Sequence, residues 1–136
     1  MRTLALYIRL SEEDAAVRSG ERDESNSITA QRDLMHKYIK EHNEFDNYEV
    51  IEYFDDGVSG TKFRTRTQFQ KMLSDAESGL FECLMVKDFS RLGRDYVKVL
   101  ALMKLLRHLN IRLISIGEKY DSFSERKCAL WQESQE

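Results

Sequence analysis

The sequence contains no proline and only six glycines in 136 residues, and no repeat, tag or low-complexity linker divides it. Cysteine is scarcer still. Cys83 and Cys128 stand far apart without the paired spacing of a zinc site, the usage expected of a reduced cytoplasmic protein. The three histidines, His36, His42 and His108, fall in helical segments away from strand ends, so a hydrolase triad has no support and no His/Cys cluster offers a metal site. No long apolar run exists either. The richest stretch, YVKVLALMKLLRHL at 96–109, is broken by lysine, arginine and histidine, which excludes a membrane span. The N-terminus, MRTLALYIRLSEED, lacks the apolar segment and cleavage site of a signal peptide. Nor is there an excess of positive charge: 21 Lys and Arg against 24 Asp and Glu give a net charge of −3, which argues against a nucleic-acid binder that uses its whole surface.

What is present is a chain long enough for one domain with a real core, 41% hydrophobic and 33% charged, as soluble globular proteins are. Its charge is unevenly spread. Residues 11–25 hold six acids and two arginines, whereas KFRTRTQFQK at 62–71 holds four cations and no acid. Residues 87–107 hold six cations against two aspartates. A local basic surface on an acidic body is the expected result.

Alternation and apolar runs predict strands at 3–10, 48–54, 82–87 and 111–116. Helical spacing predicts helices between them. In 27–43, Ile28, Leu34, Met35, Tyr38 and Ile39 share one face; in 67–78, Phe69, Met72, Leu73 and Ala76 do. Thr67 and Gln70 stand at capping-box spacing and Gly79 suits the exit of that helix. A third helix, at 95–109, has Asp95 as N-cap and Asn110 as exit. It is apolar on more than one face, which predicts burial on two sides, within the domain or against a partner. The β-α-β-α-β-α-β order predicts an α/β fold: three layers, with a mainly parallel sheet of four to five strands and helices on both faces. The folded domain is placed at 1–120, with 121–136 as a short irregular tail and 12–26 as a long acidic loop.

In open parallel sheets ligands bind beyond the C-terminal strand ends. Those ends carry Arg9 and Ser11, then Asp55, Asp56, Gly57, Ser59 and Gly60, then Lys87, Ser90, Arg91 and Arg94. The fourth end, GEKYDSF, is less distinctive. Strand periodicity puts Tyr7, Arg9 and Ser11 on one side of the first strand. An unpaired guanidinium in a buried strand costs about 3–5 kcal/mol, so Arg9 needs an anion, either Asp55 or Asp56 or a ligand phosphate. After the second strand, Lys62, Arg64 and Arg66 form a basic segment that reads either as a solvated loop or as a phosphate contact. If a helix starts near Ser90, Arg91 and Arg94 lie three apart on one face of its first turns. Cations there oppose the helix dipole by about 0.3–1 kcal/mol each unless an anion joins them. A phosphodiester satisfies both. Arg9, Arg66, Arg91 and Arg94 around one phosphate, with the Ser11 hydroxyl beside it, would make a phosphoryl-transfer site.

These motifs, Tyr7-x-Arg9-x-Ser11, Ser27-Ile28-x-x-Gln31-Arg32, Asp56-Gly57-x-Ser59-Gly60 and Ser90-Arg91-Leu92-Gly93-Arg94-Asp95, resemble the catalytic domain of serine site-specific recombinases, the resolvase/invertase group. The likeness spans about residues 3–123 and is nearer to the large transposon-type members. It implies a resolvase-like fold and DNA strand cleavage by serine attack on phosphorus. The products are a 5′-phosphoseryl linkage and a free 3′-hydroxyl, followed by religation without a cofactor or metal. By position Ser11 becomes the nucleophile. Arg9, Arg91 and Arg94 become phosphate contacts, and Gln31 supports the site. Arg66 is the fourth arginine, with Arg64 its rival. Tyr7, Ser59, Lys62, Arg64, Lys87 and Ser90 are the further DNA- or phosphate-binding candidates.

The resemblance also implies double-stranded DNA at recombination sites as partner, a homodimer or tetramer in the full-length protein, and a DNA-associated place in the bacterial cytoplasm. Two departures stand out. Ser90 occupies a position where most members have aspartate, and Asp88 is the candidate substitute. The family also continues into a long dimerisation helix and DNA-binding domains that ERKCALWQESQE does not match, so a truncated and weakly active catalytic domain is expected. Two other readings remain: an inactive DNA-associated or regulatory remnant of the same fold, and a receiver-like phosphoacceptor that uses the strand-end aspartates and Mg²⁺.

Overall fold

The computed structural model of the chain describes residues 2–10, 27–56 and 66–124. Strand β1 (Thr3–Leu10) lies inside a sheet of order β2-β1-β3-β4-β5. β2 (Glu49–Asp56), β3 (Cys83–Val86) and β4 (Arg112–Ser115) are parallel to their neighbours, and the two-residue β5 (Tyr120–Asp121) runs antiparallel to β4. The expected α/β architecture with a mainly parallel sheet is therefore present.

β1 is buried on both faces because its alternate residues feed two cores. Leu4, Leu6 and Ile8 pack with Met35, Phe45, Cys83 and Met85, beneath helix α1 (Ile28–Glu41). Ala5 and Tyr7 pack with Met72, Ala76, Leu84 and Leu106, beneath α2 (Thr67–Glu77) and α3 (Tyr96–His108). The chain leaves β1 for β2 on one side and then crosses β1 to reach β3 on the other. Crossovers of fixed hand then fall on opposite faces, which gives the three layers.

Local chemistry sets the helix ends. The Ser27 hydroxyl caps α1 by accepting from the Ala30 amide at 3.1 Å. Asp95 caps α3 through the Val97 and Lys98 amides, at 3.0 and 3.3 Å. The expected exits hold too. Gly79 at φ 77° and Asn110 at φ 61° take the left-handed conformation, and Leu80 and Ile111 close the turns by donating to the Asp75 and Leu106 carbonyls.

The local structure differs from the sequence pattern at three places. The capping box at Thr67 and Gln70 does not cap α2. Instead, the buried Asp55 at the end of β2 accepts from the Gln68 and Phe69 amides at 3.0 and 2.9 Å, which settles its charge at the helix's positive end. No helix begins at Ser90: a single 3₁₀ turn spans Phe89–Arg91, and α3 starts only after the Asp95 cap. Arg91 and Arg94 therefore lie in the turn and the link before the helix. Finally, of the two places foreseen for the second apolar face of α3, the domain supplies no cover among the described residues. Leu102 and Leu106 face the sheet, while Tyr96 and Val97 are 75% and 72% exposed, because one sheet face covers only one stripe of a helix.

Residues at the start of the expected tail pack onto the fold. Asp121 grips Arg112 with both oxygens, at 3.0 and 2.6 Å, and the Ser122 hydroxyl accepts from the buried Leu113 amide at 2.8 Å. Residues 125–136 and the 12–26 loop lie outside the described residues. Among the described residues, no helix is long and apolar enough to cross a membrane.

Candidate functional site

The order β2-β1-β3 makes the C-terminal ends of β1 and β3 the point where the chain's direction across the sheet reverses, the place where ligands bind in open parallel sheets. Arg9 closes β1, and the turn that carries Arg91 follows β3. The two arginines interlock. Arg9 donates from Nε to the Arg91 carbonyl at 3.0 Å and from Nη2 to the Ser90 carbonyl at 2.6 Å. Arg91 returns a bond from Nη1 to the Arg9 carbonyl at 2.9 Å. The buried Gln31 of α1 donates to that same Arg9 carbonyl at 3.0 Å, so the first helix is tied to the strand end.

Arg66, immediately before α2, joins from the other side. Its Nη2 donates to the Leu92 and Arg91 carbonyls at 2.9 and 3.3 Å, and reaches the Tyr7 hydroxyl at 3.4 Å. The guanidinium lies over the Phe69 ring, 3.8 Å from its centre, a contact that fixes its plane. Three guanidinium groups thus meet around the main chain of residues 90–92. Burial lowers the Arg9 pKa first, and the positive charges of Arg66, Arg91 and Arg94 lower it further against an opposing contribution from Tyr7. The exposed Arg94 is therefore close enough for its field to be felt.

Of the anions open to Arg9, Asp55 is not its partner, although the two residues are neighbours across β1 and β2. The Asp55 carboxylate is occupied by the Tyr7 hydroxyl at 2.8 Å and by the two α2 amides. Those amides have no intrahelical acceptor, whereas Arg9 finds carbonyls on the β3 side. Burial raises the Tyr7 pKa, which keeps its phenol protonated as the donor to Asp55. Asp88 faces the position where the recombinase pattern has its acid. Its Oδ1 accepts from the Ser90 hydroxyl at 2.5 Å and lies 3.4 Å from Arg91 Nε.

Of the residues singled out from sequence, Tyr7, Arg9, Gln31, Arg66, Ser90 and Arg91 come together, with Arg94 at the rim. Lys87 is half-buried at the base of the turn. Ser11, Ser59, Lys62 and Arg64 lie outside the described residues. A groove of about 590 Å³ runs from Arg66 and Arg94 between α2 and α3, past Leu73, Lys98 and Leu105. Sequence reasoning missed the main-chain acceptors at 90–92, which no side-chain pattern reveals. It also passed over Gly117 and Glu118, although a glycine and an acid directly after a strand were a usable signal.

A resolvase N-terminal domain model matches residues 4–131. No curated protein matches the chain. Among solved structures, the N-terminal catalytic domain of TP901-1 integrase is similar at 25% identity and TM-score 0.66, over 98% of this chain and 96% of that one. A resolvase family site-specific recombinase from Streptococcus pneumoniae is similar in fold at 23% identity and TM-score 0.66, over 99% and 95% of the two chains. The C-terminal catalytic domain of ISC1926 TnpA, an IS607-like serine recombinase, shares the fold at 16% identity and TM-score 0.60, over 84% and 70%. With residues 4–131 of the 136 matched by that model, this protein belongs to the resolvase N-terminal domain family.

Proposed function

We propose that this chain is the catalytic domain of a serine site-specific recombinase of the transposon or mobile-element type, which breaks and rejoins double-stranded DNA. In this reading the Ser11 Oγ attacks the scissile phosphorus. The P–O3′ bond breaks, the 3′-oxygen departs as a free hydroxyl, and a 5′-phosphoseryl linkage forms. Attack by a 3′-hydroxyl on that linkage reverses the step. Because one phosphodiester replaces another, the bond energy is kept and the chemistry calls for no nucleotide.

The observation that carries the proposal is the interlock of Arg9 and Arg91, with Arg66 alongside, at the β1 and β3 strand ends. A guanidinium has five N–H donors in a rigid fork. Anchoring Arg9 and Arg66 to neutral carbonyls fixes their planes without cancelling their charge. A phosphodiester is the anion that suits such a cluster, through short charge-assisted bonds that strengthen as charge builds on the non-bridging oxygens. Arg94 adds its charge from the rim, and Gln31 holds the Arg9 main chain. Tyr7 acts through Asp55 and Arg66. Ser59, Lys62, Arg64, Lys87 and Ser90 are assigned to the surrounding DNA contacts. The assembled protein acts as a dimer and tetramer on DNA, so the domain alone is expected to be weakly active.

The test is covalent capture. Nicked half-site DNA from the element's own junctions, incubated with the protein in EDTA, is expected to give an adduct resolved on a denaturing gel. The Ser11→Ala variant should give none. An adduct that survives this substitution overturns the reading, and Mg²⁺-dependent acyl phosphate at an aspartate, formed without DNA, points to the receiver-like alternative. No adduct from the intact full-length protein would make the chain an inactive relative.

A further inference from the structure

The 3₁₀ turn Phe89–Arg91 presents the carbonyls that hold Arg9 and Arg66, and this turn is itself gripped from the β4–β5 connection. Both carboxylate oxygens of Glu118 stand 3.2 Å from the Phe89 amide, which donates to them. The buried Ser115 hydroxyl, at the end of β4, also donates to Glu118 and aims the carboxylate. One residue earlier, the Gly117 amide donates to the Lys87 carbonyl at 2.7 Å. A Cβ at Gly117 would lie 3.0 Å from that carbonyl and 3.1 Å from Asp88 Cβ, so only glycine allows the approach without displacing the turn. Asp88, the residue against which Gly117 packs, accepts from Ser90 and lies beside Arg91.

The contacts form one chain of cause. Ser115 orients Glu118, Glu118 and Gly117 fix the start of the turn at Lys87–Phe89, and the turn then sets where the Ser90 and Arg91 carbonyls point. We propose that Glu118 is a positioning residue for the arginine cluster, acting through the Phe89 amide on the main-chain oxygens that hold Arg9 and Arg66. Its catalytic consequence rests on the recombinase reading, whereas the positioning itself does not. Glu118 reaches no phosphate contact; it determines whether the guanidiniums are held ready for one.

The test reads the guanidinium directly. In ¹⁵N NMR of the protein, exchange of the Arg9 Nε–H with solvent is expected to be slow, because it donates to the Arg91 carbonyl. Glu118→Ala should speed that exchange about tenfold, the effect of losing roughly one hydrogen bond. Glu118→Gln keeps an acceptor for Phe89 and should stay near the original rate. Gly117→Ala, which displaces the turn by another route, should resemble Glu118→Ala. An unchanged Arg9 signal in both alanine variants overturns the proposal, as does failure of glutamine to rescue. Equal acceleration of the β1 core amides also overturns it, since the effect would then be general loosening. In the covalent-capture assay, Glu118→Ala should lower the adduct rate several-fold at unchanged DNA affinity, with glutamine restoring it. If the unaltered protein gives no adduct, the recombinase reading fails while the NMR measurement still decides the role of Glu118.

Discussion

Asp55 joins three parts of the fold through one carboxylate: the Tyr7 phenol and the first amides of α2 all donate to it, and it is only 3% exposed. Asp55→Ala removes the charge-assisted bonds and leaves a buried hydroxyl and two helix amides without an acceptor. We expect a loss of about 2–4 kcal/mol in urea unfolding. A loss below about 0.5 kcal/mol, the level of an ordinary surface change, would mean that water replaces the carboxylate at no cost. The exposed Arg32–Glu52 pair, at 2.7 Å, is shorter than any of these bonds yet matters less, because solvent screens it. The sequence shows two acids at the end of a strand and an arginine across from them, and pairing them is the natural inference. What it does not show is that α2 arrives without a cap of its own. The acceptor and its helix are separated by the 57–65 segment, so no local pattern connects them.

At the level of elements, the features legible in the sequence were those decided within a few residues. Both helix exits with left-handed residues, Gly79 and Asn110, follow from local backbone sterics, and the Asp95 cap follows from a side chain that accepts from amides two and three residues on. A Cβ at Gly79 would meet nothing within 4 Å, so Gly79→Ala isolates the backbone term. It should lower stability by about 1 kcal/mol, measured as a fall in melting temperature with an unchanged folded spectrum. No change at all would mean that the helix exit rearranges freely. Elements decided at a distance were not legible. β5 has two residues, too few to alternate. The arginine spacing at 91 and 94 fits a helix that starts near Ser90, yet Asp95 offers the better cap and the helix waits for it. The apolar breadth of α3 was real, but its outer stripe at Tyr96, Val97 and Leu100 faces outward in this chain.

For the molecule as a whole, β-α alternation foretold a parallel sheet with helices on both faces, and apolar spacing named most of the core. The strand order, and with it the reversal point between β1 and β3, depends on which strands pair, and periodicity is silent about that. The two-sided core makes a prediction about pH. Cys83 lies in the middle of the sheet, and burial pushes its thiol up to about 12. Below about pH 9 the thiol is neutral in both folded and unfolded chains, so this contribution to stability is fully present. As pH rises from 9 toward 12, the unfolded chain ionises first and the contribution is lost. Burial raises the Tyr7 and Tyr53 phenols as well, and both add to the same trend. Unfolding free energy should therefore fall steadily over that range, and less steeply in Cys83→Ala. Equal slopes in the two proteins would show that Cys83 is accessible to water in the fold.

The acceptors for Arg9 and Arg66 at residues 90–92 are peptide oxygens, which every amino acid carries. Which letter is written at such a place matters little to the two guanidiniums, so an aspartate-for-serine exchange at position 90 can accumulate over evolution without moving them. Loop length is a different matter. One residue inserted or deleted between Val86 and Leu92 would turn each peptide plane away from its arginine, so lineages of this domain can drift in spelling along that stretch far more readily than in length.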